Sequence, residues 1–487
     1  MEKSYQKFTK DVAIIGVTTL LLSLLGIVQL SLLTKTLGAH DYGIWIQFNV
    51  TVSLILPFTS LGLGGALIRF LAAEKNREAI QEQFYSVLSV LFMIQLVVAL
   101  AIIVIASPLA MNFFDGAVQI VRITGILALL TSMSGTYLIL IRAFQQIKTY
   151  SIFTITEECC RVGLIAYLVL TGHGIFSVVL AIIATKVFIL LVLFFLIKSQ
   201  IGIKRPHFSR IKEYLRFGLP LVPGSISFWL VRLSDRYVIG FFLGLTSVGV
   251  YSVASTLGFF SYALVGVLNL VMMQTLSKLY DEGRLNEVKT HLSYSLKYLL
   301  TITIPFAFGA AILAEPILRM LSTPEIASQG HLVTPIIALG TLFLNATTIV
   351  AYILILTKKP KMMGLTWIGA AVVNIGLNVL VVPRLGVIGA AITTLIVFTL
   401  ALGSISYYSF KEFKFSIDWH FIMKSLIASS VMSVAVWLMA PRGNLDTLLA
   451  VVAGVVIYGV VIILLRGFSK EEISFFRGLF RRSTPAA

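Results

Sequence analysis

Across 487 residues, 58% hydrophobic side chains against 12% charged ones, at a mean hydropathy of +0.97, leave too little polar surface to cover a soluble fold of this size. A net charge of +17 would suit nucleic acid in a soluble protein, but the cations here alternate with long apolar blocks, so no nucleic-acid partner follows. Cys159 and Cys160 are chain neighbours with no metal-ligand spacing, which leaves them as small apolar packing residues.

A block of about 20 apolar residues crosses a hydrocarbon layer about 30 Å thick. In chain order fourteen such blocks are predicted as transmembrane helices, at 12–34, 42–66, 84–106, 118–140, 152–171, 175–197, 217–242, 249–275, 294–314, 332–356, 362–382, 386–408, 421–440 and 447–466. The first is too long for a signal-peptide core and lacks a cleavage site, so it is retained as a helix. It holds no charge, and Gln29 is its strongest polar group. Connections as short as Thr171–Gly174 and Pro383–Leu385 make their flanking helices antiparallel. With the N-terminus in the cytoplasm, the cytoplasmic connections hold 28 Lys and Arg, whereas the external ones hold only Lys35, Arg319, Arg384 and Arg442. That bias predicts a multi-pass protein of the inner (cytoplasmic) membrane with both termini inside.

The link Leu37-Gly38-Ala39-His40-Asp41-Tyr42-Gly43 returns as Leu243-Gly244-Leu245-Thr246-Ser247-Val248-Gly249, with an aromatic residue following each (Trp45, Tyr251) and an offset of 206. Gly174 and Gly386 repeat at 212, and Lys148 and Lys361 at 213. The shared register predicts two six-helix lobes, 1–200 and 217–410, related by a pseudo-twofold axis along the membrane normal, with a substrate site between them. Residues 201–216 form a basic cytoplasmic linker, open to two readings: attraction to anionic lipid or topology alone. Residues 411–487 add two helices and a basic cytoplasmic tail.

An ionisable side chain near the bilayer centre costs about 2.5–3.5 kcal/mol on insertion scales, so each needs a partner or a watery cavity. The fifth block carries Glu157, Glu158 and Arg161, the sixth Lys186, and the fourth Arg122. The seventh opens with Pro220 and Pro223, which predict a bend or a broken first turn, and carries Arg232, Asp235 and Arg236 at i, i+3, i+4 on one face. Five cations against three acids predict a cationic cavity for an anionic substrate. Interhelical salt bridges are the competing reading, and the acids also leave coupling to H+ or Na+ open. Gln29 and the i, i+4 pair Asn374 and Asn378 are candidate polar cavity residues.

The six histidines (40, 173, 207, 291, 331 and 420) show no metal-ligand spacing, no phosphate-binding loop of the Walker type is present, and no external loop is long enough for a catalytic domain. The expectation is a transporter with no cofactor and no metal, and not an enzyme.

Tyr42-Gly43 after Leu37-Gly38, the run from Leu61 through Gly62, Gly64 and Gly65 to Phe70, Gly218-Leu219-Pro220, and Asp235-Arg236 leading to Gly244 and Val248-Gly249-Val250-Tyr251 resemble the polysaccharide transporters. These are the Wzx-type O-antigen flippases of the multidrug/oligosaccharidyl-lipid/polysaccharide (MOP) exporter superfamily, and the similarity spans residues 8–410. The resemblance implies a MATE-like all-α bundle. It also implies alternating-access transfer of a polyprenyl-diphosphate-linked oligosaccharide from the cytoplasmic to the external leaflet, amid membrane lipids and other polysaccharide-assembly proteins. Asp235 and Arg236 match the family pattern, whereas Arg161, Lys186 and Arg232 come from the charge argument alone. The uncharged first helix departs from lipid II flippases, which carry arginines there, and from multidrug exporters, which often carry an acid. A cation-coupled drug exporter and an assembly scaffold are the alternatives.

Overall fold

The computed structural model describes residues 2–71, 74, 76–469 and 472; the expected basic tail beyond 472 lies outside the described residues. Among the described residues there is helix and no strand. The first half runs α1 (Glu2–Ser60), α2 (Leu63–Leu71), α3 (Arg77–Val104), α4 (Ala106–Phe113), α5 (Val118–Ala143), α6 (Ile147–Leu170) and α7 (Ile175–Ile201). Then come α8 (Ile211–Gly218), α9 (Val222–Leu233), α10 (Asp235–Leu243), α11 (Leu245–Gly258) and α12 (Phe260–Asp281). The chain ends with α13 (Leu285–Leu321), α14 (Pro324–Gly330), α15 (Val333–Leu356), α16 (Pro360–Glu412), α17 (Trp419–Met439) and α18 (Asn444–Leu464).

Among the described residues nine of these helices are long and apolar enough to cross a membrane, and 208–233 with 235–243, which take in α8 to α10, make a tenth candidate bent by 43°. Helix α6 is less apolar because Glu157, Glu158 and Arg161 sit inside it. Two of the nine are folded back at a glycine: α1 at Gly38 (φ 78°, ψ −178°) and α16 at Gly386 (φ 61°, ψ −147°). Gly244, between α10 and α11, has φ 80° and ψ 172°, nearly the angles of Gly38 and in a region that only glycine occupies readily. The two LG-x4-G links therefore share a backbone conformation as well as a sequence. Gly174, paired with Gly386 by sequence, does not share its conformation (φ −77°).

The two links also pack against each other. A methyl group on Gly43 would run into the Leu245 carbonyl, and one on Gly249 into the Ala39 carbonyl. Residues 39 and 43 thus meet 245 and 249 reciprocally, at the offset of 206. A second layer repeats the pattern: Lys35 Nζ donates to the Met320 carbonyl at 2.6 Å, and Phe241 lies 6.4 Å from Phe113 across the seam. Around this seam one apolar core joins both halves, from Leu33 and Phe48 to Tyr251 and Ala390. Toward the opposite end the cores divide. One, with Leu67, Phe84 and Leu193, belongs to the first half; another, with Leu299, Ile353 and Phe421, belongs to the second half and α17–α18.

The linker is fastened to α3: Tyr214 donates to Gln83, Lys204 pairs with Glu78 (3.3 Å) and Glu82 (3.2 Å), and Ser86 donates to the His207 carbonyl. Its hydrogen bonds to Glu82 and then Glu78 raise the pKa of Lys204, keeping it cationic. The proline-rich start of the seventh block breaks its α-helical turn with a 3-10 turn at Leu219–Leu221, and the 43° bend comes later, at Ser234. There Gly218 touches Gly62 so closely that neither position has room for a side chain. Cys159 and Cys160 are both exposed, correcting the packing role expected of them.

Candidate functional site

The polar side chains placed in apolar helices gather into two clusters. In the first half, α6 presents Glu157 to Lys186 of α7, which form an ion pair. One residue on, Glu158 pairs with Arg161 at 2.5 Å, the i, i+3 geometry of a helix. Arg161 Nη2 reaches across to donate to Gln29 Oε1 on α1 at 3.3 Å. Arg161 keeps 26% of its side-chain surface exposed and Lys186 14%, so the cluster is shielded but not sealed.

In the second half the α9–α10 bend at Ser234 changes what the i, i+3, i+4 spacing had suggested. Asp235 Oδ1 accepts from Arg236 Nη1 (2.6 Å) and from the Arg236 backbone N–H, while Oδ2 accepts from the Tyr251 hydroxyl (2.5 Å). Arg236 also donates to Ser255 Oγ (3.0 Å) and to the Arg232 carbonyl (2.8 Å). Only 2% of Asp235 and 6% of Arg236 is exposed. An ion pair this deep is tolerable because hydrogen bonds fill its remaining lone pairs and protons. Asn374 Oδ1 accepts from Ser234 Oγ (3.2 Å) and Asn378 Nδ2 (3.1 Å), while Asn374 Nδ2 and Asn378 Oδ1 have no protein partner. Asn374 thus bonds across helices to Ser234, while its bond to Asn378 stays within α16.

Arg161, Lys186 and Arg236 are matched one to one by Glu158, Glu157 and Asp235, which leaves Arg122 and Arg232 as the two span cations without a carboxylate among the described residues. Arg122 is exposed on α5 and joins neither cluster. Arg232 alone of the five is enclosed without a carboxylate. Its guanidinium lies 4.9 Å from the Tyr262 ring, 5.0 Å from Phe259 and 5.8 Å from Phe228, and its Nε has no hydrogen-bond partner. Aromatic faces attract a cation without neutralising it, so the group remains free to meet an anion.

Sequence reasoning missed Tyr251 and Ser255 as ligands of the buried pair, although Tyr251 was already visible as the aromatic of the second link. It also missed the rings around Arg232, of which only Phe228, at i−4, had a local signal. Gln47 of α1 is fully buried with neither side-chain atom bonded, and no sequence pattern marks it.

A family model described as polysaccharide biosynthesis protein matches residues 32–325, more than half of the chain. A probable low-salt glycan biosynthesis flippase of Haloferax volcanii is 21% identical over 449 residues, 88% of this chain and 90% of that one. The solved structure of the lipid II flippase MurJ in an inward closed conformation matches with a TM-score of 0.76 at 18% identity, over 92% of this chain and 98% of that one. An inward-facing multidrug resistance MATE family transporter of the MOP superfamily matches at 0.67 and 14%, over 81% and 94%. The fold is thus that of the MOP superfamily, as the residue pattern implied.

Proposed function

Since the chain belongs to the polysaccharide biosynthesis protein family, we propose that it is a flippase for a polyprenyl-diphosphate-linked oligosaccharide, moved from the cytoplasmic to the external leaflet by alternating access. The observation that carries this reading is Arg232, an enclosed guanidinium with aromatic neighbours and no carboxylate. A diphosphate offers what that group lacks. Arg161 and Lys186, less deeply enclosed, form a second set that an incoming anion can reach by competing with Glu158 and Glu157. Arg236 belongs to the buried lock instead.

The division of the core supports the transport cycle. On the fourteen crossings and inside termini expected from the sequence, the shared core faces outside and the two separate cores face the cytoplasm, which suits lobes that close at the external side. The reciprocal contacts at Gly43 and Gly249 suit a pseudo-twofold axis through that seam. Inside-negative potential favours outward movement of each negative charge by about 2.3 kcal/mol per 100 mV, which supplies a driving force without a coupling ion. Both carboxylate oxygens of Asp235 are engaged, so H+ or Na+ coupling, if present, falls to Glu157 or Glu158.

The test is replacement of Arg232 by Ala and by Lys in cells that depend on this chain for surface glycan. The alanine variant should reach the membrane at normal level and abolish surface glycan, with lysine restoring part of it. Normal glycan from the alanine variant would overturn the role of Arg232. Loss of drug resistance without loss of glycan would favour the multidrug-exporter alternative.

A further inference from the structure

A second basic site lies away from both clusters, where α17 and α18 lean on α13. The two added helices sit at the margin of the second half: 33% and 28% of their apolar windows are buried, against 72% for α15. Helix α17 carries exposed tryptophans at both ends, Trp419 (66%) and Trp437 (65%). Eighteen residues at 1.5 Å apiece separate them by about 27 Å, close to the thickness of the hydrocarbon layer. Tryptophan collects at membrane interfaces, so Trp419 sets the headgroup level at the end of α17 that the charge bias assigns to the cytoplasm.

At that level a cleft of about 560 Å³ opens between His420, Lys424, Ile463, Arg466 and Phe468. Its carboxylates are already engaged. Asp418 caps α17 by accepting from the Phe421 N–H (2.8 Å), and Glu472 holds Lys297 (3.0 Å) and accepts from the Ser469 N–H (2.7 Å). Lys297 is in turn flanked by the rings of Phe421 and Phe468. The cations of the outer wall are not matched in this way. Among the described residues Lys424 donates only to the Arg466 carbonyl (3.0 Å), and the exposed Arg466 has no carboxylate partner. Arg466 also holds a left-handed backbone (φ 51°), which turns the chain at the end of α18. Apolar wall runs from the cleft toward the bilayer interior along the exposed Ile463, Val460 and Val456.

We propose that this cleft binds the phosphodiester headgroup of an anionic membrane phospholipid, with Lys424, Arg466 and His420 as donors and the acyl chains lying along α18. Basic pockets between transmembrane helices at the cytoplasmic surface favour such headgroups, and the exposed apolar wall selects a lipid over a soluble phosphate. The bound lipid would wedge the added pair of helices against α13.

The full chain in nanodiscs tests this, with phosphatidylglycerol as the probe in a phosphatidylcholine background. Native mass spectrometry after detergent release should find one phosphatidylglycerol retained preferentially, and phosphatidylglycerol should raise the melting temperature above that in pure phosphatidylcholine. The variant R466Q, which removes no side-chain bond among the described residues, should lose most of the preference. K424Q/R466Q should lose the preference and the thermal shift together, and K424R should keep both. Equal retention of the two lipids by the native chain would overturn the proposal, as would undiminished preference in R466Q. Displacement of the retained lipid by a polyprenyl diphosphate at equal concentration would overturn it too, by assigning the cleft to the transported substrate. None of these readouts depends on transport.

Discussion

The two charged clusters solve one problem at different depths. In the first half, two ion pairs on α6 and α7 keep up to a quarter of a side chain exposed and have Gln29 as their neutral companion. In the second half, one pair is sealed by Tyr251, Ser255 and two backbone groups. A charge that keeps some contact with water needs a counter-ion and little else, whereas a charge cut off from water needs every lone pair and proton met. The sealed pair therefore reads as part of the scaffold and the wetter pairs as groups able to exchange partners.

The sharpest way to break this contrast is to remove one member of the sealed pair. R236A should leave Asp235 buried and unmatched and cost about 3–5 kcal/mol, seen as a large fall in melting temperature in detergent. K186M should cost less, about 1–3 kcal/mol, because Glu157 keeps 12% of its side chain exposed against 2% for Asp235. The double variant K186M/E157L should recover most of that loss in the same melting experiment. Third in size, R161Q leaves Glu158 with a neutral neighbour and should cost about 1 kcal/mol. Melting temperatures that fall equally for R236A and R161Q would erase the distinction between sealed and wet clusters.

The wettest end of the series is His40, half exposed beside the seam, 3.2 Å from Asp41 and 3.1 Å from Asp115. The hydrogen bond to Asp41, supplemented by Asp115 and opposed by slight desolvation, raises its pKa above the ordinary 6.5. A raised histidine pKa stabilises the fold fully below the ordinary value and loses that contribution as pH rises through the folded-state value. At this exposure the whole effect should stay below about 1 kcal/mol. The melting temperature should therefore drop slightly as the pH rises through that range, and H40Q should flatten this dependence.

Much of the fold was legible because its signals are local. Hydropathy marks the helices, and Gly38 and Gly244 mark the two tight links, since only glycine enters that backbone region at little cost. Within a single helix, the i, i+3 spacing of Glu158 and Arg161 is the local geometry their pair uses. Which cations would stay unmatched was not legible, because spacing along one helix says nothing of what a neighbouring helix presents. Glu157 faces Lys186 through the relative rotation of α6 and α7, and Tyr251 faces Asp235 because the Gly244 link turns α11 back on α10.

By itself, then, the sequence determined a bilayer-embedded helical chain with a duplicated glycine link and ionisable groups at fixed places along its spans. Only the tertiary structure decided which of those groups are matched, that Arg232 is not, and that the links close on one another through Gly43 and Gly249. The physical reason is one of range. Transfer of a segment into lipid and the conformational freedom of glycine are properties of a few adjacent residues, whereas neutralising a charge depends on atoms brought together from helices far apart in the chain.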